Sequence, residues 1–269
     1  MPSVANDALL KLAREVALAA AELARTLRAA GVEVAASKSS VEDIVTLADR
    51  ETEQLIRSLL SQARPDDGFY GEESGADAGT SGLTWVVDPI DGTVNYLYGI
   101  PQYAVSIAVV EGEPDPLTWN ALAGVVVNPA TGEVFTGSAG GGAWLDGEPV
   151  KVNTGVALDQ ALVGTGFSYS AESRTAQGAV VAGLISQVRD IRRHGAAALD
   201  LCSVACGRLD AYYERGLQPW DHAAGVLIAR EAGASVTGLG GLPPSREFLI
   251  AADGELAAKL EQMLGKLGI

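Results

Sequence analysis

The chain has 269 residues, 48% of them hydrophobic, which is enough to bury one large core or two smaller ones. Its formal net charge of -15 repels a polyanion, so we expect no nucleic-acid partner. The first residues lack the pattern of a signal peptide, and no stretch reaches the roughly eighteen consecutive apolar residues of a membrane helix. The sequence therefore predicts a cytoplasmic protein without a membrane partner.

Two helices are predicted near the N-terminus. The first is alanine-rich, runs over residues 6–30 and ends at Gly31. The second is amphipathic and runs over residues 46–63, with Thr46 as N-cap and Asp49 three residues further on. We expect both helices to pack on a sheet.

The chain then changes from strands to an alternation of strands and helices. An antiparallel meander is predicted from five strand-like segments, 68–74, 84–90, 103–113, 122–138 and 141–152. After it, strands alternate with helices predicted at 176–192, 195–207, 219–232 and from residue 254 onward. We therefore expect an α/β (α+β) protein with two closely packed halves, residues 1–155 and 156–269.

The segment WVVDPIDGTVN places two acids at the end of an apolar strand. Asp88 and Asp91 flank Pro89-Ile90, so the chain turns and both carboxylates can converge on one cation. Gly92 allows close approach of the backbone to a ligand, and the amides of Gly92 and Thr93 would face an anion if a helix starts here. The alternative is an ordinary turn after a strand, because Asp, Pro and Gly are common turn residues.

Two further acidic points follow weaker patterns. Asp221 lies in the first turn of an apolar helix, where it could simply complement the helix dipole. Glu72 and Glu73 follow the short strand GFY, a common place for exposed acids. Taken singly, neither point identifies a site.

Together and in this order, the stretches GEES, WVVDPIDGTVNY and WDHAAGVLIAREAG resemble those of the inositol monophosphatase family. The similarity runs from KSSVEDIVTLAD to the last helix. The resemblance implies a layered α/β/α/β/α fold with two sheets, usually in a homodimer. It also implies a lithium-sensitive, Mg²⁺-dependent phosphatase that hydrolyses inositol monophosphate to inositol and phosphate.

The resemblance also implies a set of metal ligands for two or three Mg²⁺ ions. Glu73, Asp88 and the main-chain carbonyl of Ile90 would hold the first ion. Asp88, Asp91 and Asp221 would hold the second, and Glu73 with water a looser third, with Lys38 near it. Hard oxygen ligands of this kind suit Mg²⁺, which shares its coordination shell with water and substrate phosphate.

The implied catalytic residues are Thr93, Asp49 and Glu73. Thr93 would orient the attacking water and be hydrogen-bonded to Asp49, and Glu73 is the alternative candidate for the base. The sequence does not choose between them. The implied substrate-binding residues are Asp91, Gly92, Thr93, Gly195, Ala197, Glu214 and Asp221. The chain departs from the family at Ala196, where a serine or threonine is common, so one polar contact is missing.

Two alternatives stay open at this level. The same chemistry could act on histidinol phosphate, fructose 1,6-bisphosphate or 3'-phosphoadenosine 5'-phosphate, since relatives share the metal motifs. A more distant alternative is an acidic protein that binds divalent cations without catalysis. Against it stands the joint presence of Thr93 and Asp49, for which a protein that only binds has no chemical need.

Overall fold

The structure, a computed structural model, describes residues 4–32, 34–37 and 44–269, so Lys38 and its predicted role lie outside the described residues. Within these ranges there are seven α-helices: α1 Val4–Ala30, α2 Leu47–Ala63, α3 Thr93–Tyr98, α4 Ala171–Leu184, α5 Ala197–Ala205, α6 Pro219–Glu231 and α7 Gly254–Lys266. The predicted capping of α2 is present, because the Thr46 side chain accepts from the Asp49 N–H while Asp49 accepts from the Thr46 N–H. None of the helices in these ranges is long and apolar enough to cross a membrane.

An eight-stranded sheet forms the N-terminal half. Its strands are β3 Gly68–Gly71, β4 Gly75–Asp77, β5 Leu83–Asp91, β6 Ala104–Glu111, β7 Asn120–Val127, β8 Val134–Ser138, β9 Gly142–Leu145 and β10 Glu148–Pro149. Their order is β10-β9-β8-β7-β6-β5-β3-β4, and every neighbouring pair is antiparallel except β3 with β5. This is the predicted meander. A short antiparallel pair ahead of it, β1 Val34–Ser37 with β2 Ile44–Thr46, was not predicted.

A five-stranded sheet forms the C-terminal half. Its strands are β11 Leu162–Thr165, β12 Asp190–Arg192, β13 Ala211–Glu214, β14 Ser235–Thr237 and β15 Leu249–Ala252, in the order β12-β11-β13-β15-β14. The helix predicted over 176–192 is wrong at both ends. Helix α4 begins at Ala171, five residues earlier than predicted, after the Ser170 cap, and residues 190–192 pair with β11 in parallel instead of continuing a helix.

The elements stack in five layers, which confirms the predicted α/β/α/β/α architecture. Helices α1 and α2 cover the outer face of the first sheet. Helices α5 and α6 lie between the two sheets in one shared apolar core. Helices α4 and α7 cover the outer face of the second sheet. The division into halves at residue 155 stays a prediction.

Helix α6 lies unusually close to the first sheet. A Cβ atom on Gly124 of β7 would lie 3.0 Å from the Cα of Ala224, and one on Gly137 of β8 would lie 3.2 Å from the Cα of Ile228. Such distances are shorter than ordinary carbon contacts of about 3.5 to 4.0 Å. The two glycines therefore set how near α6, and the Asp221 that it carries, come to the sheet.

Candidate active site

The end of β5 carries the first two acids of the site. Between Asp88 and Asp91 the pairing with β6 shifts register, so the strand bulges where Pro89 and Ile90 stand. The Ile90 N–H donates to Asp88 Oδ1 at 3.0 Å, which holds the turn. Both carboxylates are buried, with only 2% of Asp88 and 8% of Asp91 exposed. The bulge thus keeps two acids inside the protein at one strand end.

Two more carboxylates reach the same place from other elements. Burial raises the pKa of Asp88, and the negative charge of Glu72 raises it further, followed by those of Asp91 and Asp221. Burial likewise raises the pKa of Asp221, and the charges of Asp91 and Glu72 add to the effect. Like charges raise one another's pKa only at short range in a poorly solvated place. Glu72, Asp88, Asp91 and Asp221 are therefore near enough for their charges to act on one another, and we call these four acids the carboxylate centre.

The two neighbouring glutamates of GEES are separated by the fold. The Glu73 N–H donates at 2.8 Å to Oε2 of Glu53, a buried side chain of α2. Gly71 lies directly against the same carboxylate, since a Cβ there would be 2.4 Å from Glu53 Oε2. The charges of both glutamates act on Asp49, but only that of Glu72 is among the main influences on Asp88 and Asp221. The sequence analysis named both glutamates and assigned the metal to Glu73, because adjacent acids after a short strand look alike.

Thr93 and Asp49 meet beside the centre. Helix α3 begins at Thr93 as predicted, with Gly92 at its N-cap in a left-handed conformation of φ 90°. The Thr93 hydroxyl lies 3.2 Å from Asp49 Oδ1 and 3.2 Å from the Ile90 carbonyl oxygen. Burial raises the pKa of Asp49 to about 7. Asp49 therefore caps α2 through one oxygen and contacts Thr93 through the other, so the cap leaves Asp49 able to contact Thr93. Its catalytic role stays a prediction.

The N-terminus of α5 closes one side of the centre. Asp91 accepts the N–H groups of Ala197 at 3.3 Å and Ala198 at 2.7 Å. The pKa of Asp91 is raised to about 8 by burial, although these two hydrogen bonds oppose the rise. The predicted Ala197 thus lies at the site, but its N–H is engaged by Asp91.

Close backbone packing joins α3 to the segment before α5. A Cβ on Gly92 would lie 3.0 Å from the Gly195 carbonyl oxygen and 3.2 Å from the Ala196 Cβ, so only glycine fits. Asn95 Nδ2 bridges the same region by donating to the His194 carbonyl at 2.8 Å and the Gln102 carbonyl at 2.7 Å. The sequence analysis did not single out Asn95, which ties the two halves of the site together.

Glu214 and Asp221 reach the site from the C-terminal half. The Tyr212 hydroxyl donates to the carboxylate of Glu214, which lies against Gly166, where any side chain would collide with it. Burial raises the pKa of Glu214 to about 7, and its charge acts on both Asp91 and Asp221. Asp221 Oδ2 accepts the Gln218 N–H at 2.7 Å and so also caps α6.

Comparison of the chain with known proteins identifies its family. The sequence profile described as the inositol monophosphatase family matches residues 5–267. The chain belongs to the inositol monophosphatase family. It is 50% identical over 209 residues to an inositol-1-monophosphatase of Mycobacterium bovis, covering 74% of this chain and 70% of the relative.

Some relatives carry the name SuhB instead of inositol monophosphatase. A protein of Xylella fastidiosa named Nus factor SuhB is 42% identical over 236 residues, covering 84% of this chain and 83% of the relative. Among solved structures, an inositol monophosphatase from Anabaena (Nostoc) sp. PCC 7120 superposes with a TM-score of 0.83 at 32% identity, covering 97% of this chain and 96% of that one. The chain is thus a phosphatase of the inositol monophosphatase family, while its substrate is not decided by these names.

The family is metal-dependent, and the donor set of the carboxylate centre fits a hard divalent cation. Asp88 and Asp91 are buried, Asp221 is partly buried, and none of the three forms an ion pair with Lys or Arg within the described residues. In the same ranges no three His, Cys, Asp or Glu side chains close around a single point. Mg²⁺ does not require such a cage, because it binds through one or two carboxylates, several waters and substrate phosphate.

The two histidines of this family member should titrate far apart. His194 Nδ1 lies 2.6 Å from Asp200 Oδ1, and this hydrogen bond raises the pKa of His194 above its usual 6.5. Burial lowers the pKa of His222 to about 4. We expect NMR of the imidazole groups to show one titration above pH 6.5 and one near pH 4, assigned with His194→Gln.

These shifts have opposite consequences for stability. The contribution of the His194 pair is complete below about pH 6.5 and is lost as the pH rises through the raised pKa of folded His194. His222 has the opposite effect: the free energy of unfolding decreases as the pH falls from about 6.5 towards 4. In this range His222 is protonated in the unfolded chain but stays neutral in the folded protein. Two coincident titrations near pH 6.5 would contradict both assignments.

Proposed function

We propose that the chain is a Mg²⁺-dependent phosphomonoesterase that hydrolyses inositol monophosphate to inositol and phosphate by attack of water. The observation that carries this proposal is the carboxylate centre, in which the charges of Asp88, Asp91 and Asp221 act on one another without a Lys or Arg ion pair in the described ranges. A net charge of -15 repels a phosphate ester, so its approach requires a local cation. Mg²⁺ held there would supply that charge and Lewis-acid chemistry toward the phosphate.

The residues of the chain would act as follows. Asp88, Asp91 and Asp221, with the Ile90 carbonyl, would hold the cations. We place Glu72, rather than Glu73, among these ligands, because the charge of Glu72 acts on both Asp88 and Asp221.

Thr93 and Asp49 would orient the attacking water and accept its proton. The Thr93 hydroxyl is 3.2 Å from Asp49 Oδ1, and the Asp49 pKa of about 7 lies where a general base works best near neutral pH. The amides of Gly92 and Thr93 would face the phosphate.

Substrate recognition would come from the C-terminal half. Glu214 is fixed by the Tyr212 hydroxyl beside the centre, where it can accept hydrogen bonds from the hydroxyl groups of inositol. Gly195 and the buried Ala196 would line the same pocket and offer no side-chain hydrogen bond. We further propose, on the resemblance to the family, a cytoplasmic homodimer inhibited by Li⁺.

The deciding experiment is steady-state release of phosphate with and without Mg²⁺. A panel of inositol 1-phosphate, histidinol phosphate, fructose 1,6-bisphosphate and 3'-phosphoadenosine 5'-phosphate would identify the ester. We expect the highest kcat/KM for inositol 1-phosphate. Full activity in excess chelator would refute the metal requirement. Preference for another ester would change the assigned substrate but not the proposed phosphatase reaction.

Glu214→Ala should change which alcohol is accepted. We expect kcat/KM for inositol 1-phosphate to fall ten- to a hundredfold, about 1.4 to 2.7 kcal/mol, because hydrogen bonds to the sugar are lost. An aryl phosphate has no such hydroxyls and should be affected much less. Equal losses on both substrates would show that Glu214 supports the carboxylate centre instead, through the charge that it exerts on Asp91 and Asp221.

A further inference from the structure

A second cavity of about 630 Å³ lies beside α6, between the loop after β6 and the loop before β15. None of the acids of the carboxylate centre lines it, nor does Glu214. Its volume falls within the range of roughly 300 to 1,000 Å³ that is typical of small-molecule sites. The cavity is therefore large enough for a ligand and separate from the proposed active site.

Apolar side chains from both loops form the walls. Leu117 and Trp119 face the cavity from one loop, and Leu242, Pro243 and Pro244 from the other. Leu117 is 53% exposed and Leu242 is 65% exposed, although both are large aliphatic residues. An aromatic ring placed between these loops would remove their apolar surface from water, which is favourable.

His222 provides an unpaired polar group on the inner wall. It is 1% exposed, and neither ring nitrogen has a hydrogen-bond partner in the described part of the chain. Its imidazole lies 6.2 Å from the Trp119 ring, centroid to centroid, and both residues line the cavity. A buried polar group without a partner costs about 1 to 3 kcal/mol, so a ligand that hydrogen-bonds His222 recovers part of that cost.

Arg230, two turns further along α6, adds a positive charge to the same wall. Its Nη2 donates to the Val236 carbonyl at 2.8 Å, and it forms no ion pair among the residues that the structure describes. Glu111 also lines the cavity, so the charges present are one cation and one acid. The single cation can match one negative charge, whereas a phosphate dianion carries about two.

We propose that this cavity binds a small aromatic carboxylate. Its ring lies between Trp119 and Leu242, its carboxylate meets the guanidinium of Arg230, and His222 donates a hydrogen bond to it. The proposal is independent of the phosphatase activity, because it uses none of the residues of the carboxylate centre.

The test is NMR titration of the full chain with indole-3-acetate as probe. The chain has two histidines, so His222 reports on the cavity and His194 serves as an internal control. We expect the His222 imidazole signals to move, with a Kd of about 1 mM or lower, while those of His194 stay in place. Indole-3-acetamide, which has the same shape without the charge, should bind at least tenfold more weakly.

Arg230→Met should also weaken the binding of indole-3-acetate at least tenfold. The control Arg174→Met, at an exposed position of α4, should leave that binding unchanged. Methionine keeps the apolar part of the arginine side chain. If this variant folds poorly, the comparison of acid with amide on the unsubstituted protein still tests whether the cavity recognises the carboxylate. Equal binding of acid and amide, or unchanged binding by folded Arg230→Met, would overturn the proposal. So would an unmoved His222 signal at tens of millimolar probe, or displacement of the probe by inorganic phosphate with Mg²⁺, which would place it in the active site.

Discussion

Replacing Asp221 by asparagine should reduce phosphate release at saturating Mg²⁺ at least a thousandfold, about 4 kcal/mol of transition-state stabilisation. The variant loses one anionic ligand of the proposed cation. The replaced carboxylate is near Asp91 and Glu72, whose charges raise its pKa. It should fold normally, because the asparagine side-chain oxygen can still accept the Gln218 N–H that Asp221 accepts at 2.7 Å. Steady-state kinetics and thermal unfolding measure the two effects.

The matched control is Asp159→Asn, which removes the same charge from an exposed position far from the site in sequence. We expect this control to keep nearly full activity. In the absence of metal, Asp221→Asn should unfold at the same temperature as the unsubstituted protein or a higher one, since a charge of the same sign as those of Asp91 and Glu72 is gone. Substantial turnover by Asp221→Asn, or its failure to fold, would contradict the assignment of Asp221 as a metal ligand.

The pair Glu72→Gln and Glu73→Gln distinguishes two neighbouring acids of the same size. We expect Glu72→Gln to lower kcat/KM at least a hundredfold and to raise the Mg²⁺ concentration needed for half-maximal activity, because its charge belongs to the carboxylate centre. Glu73→Gln should change kcat/KM less than about fivefold, since it leaves the backbone N–H that Glu53 accepts.

Each variant of this pair serves as the control of the other, because both remove one negative charge from GEES. The reverse ranking would restore Glu73 as the ligand, as the sequence analysis expected. Equal large losses would mean that both carboxylates take part, Glu73 through the Asp49 that its charge already influences.

Local patterns in the sequence sufficed for much of the fold. The Thr46 cap and the meander depend on residues that are near one another in the chain, and they appear where they were predicted. Between Asp88 and Asp91 a bulge inside β5 stands where a turn after the strand was predicted. The error at 176–192 arose because strand β12 is defined by pairing with β11, almost thirty residues earlier, rather than by its own composition.

The inner details of the site depend on contacts that a sequence does not display. Asp91 is held by the amides of Ala197 and Ala198, more than a hundred residues away. The choice between Glu72 and Glu73 depends on the approach of Gly71 to Glu53, which lies on a different element. Such distances between partners explain why the sequence pointed to candidate acids but not to their arrangement.

The layered fold has a thermodynamic consequence, because the carboxylate centre draws Asp88 and Asp91 from the first sheet and Asp221 from a helix lying between the sheets. A cation shared by these carboxylates would bind only when the layers are assembled. By mass action, Mg²⁺ at a hundred times its dissociation constant would then raise the free energy of unfolding by about 2.7 kcal/mol. The melting temperature of this phosphatase should therefore rise with the concentration of its own cofactor.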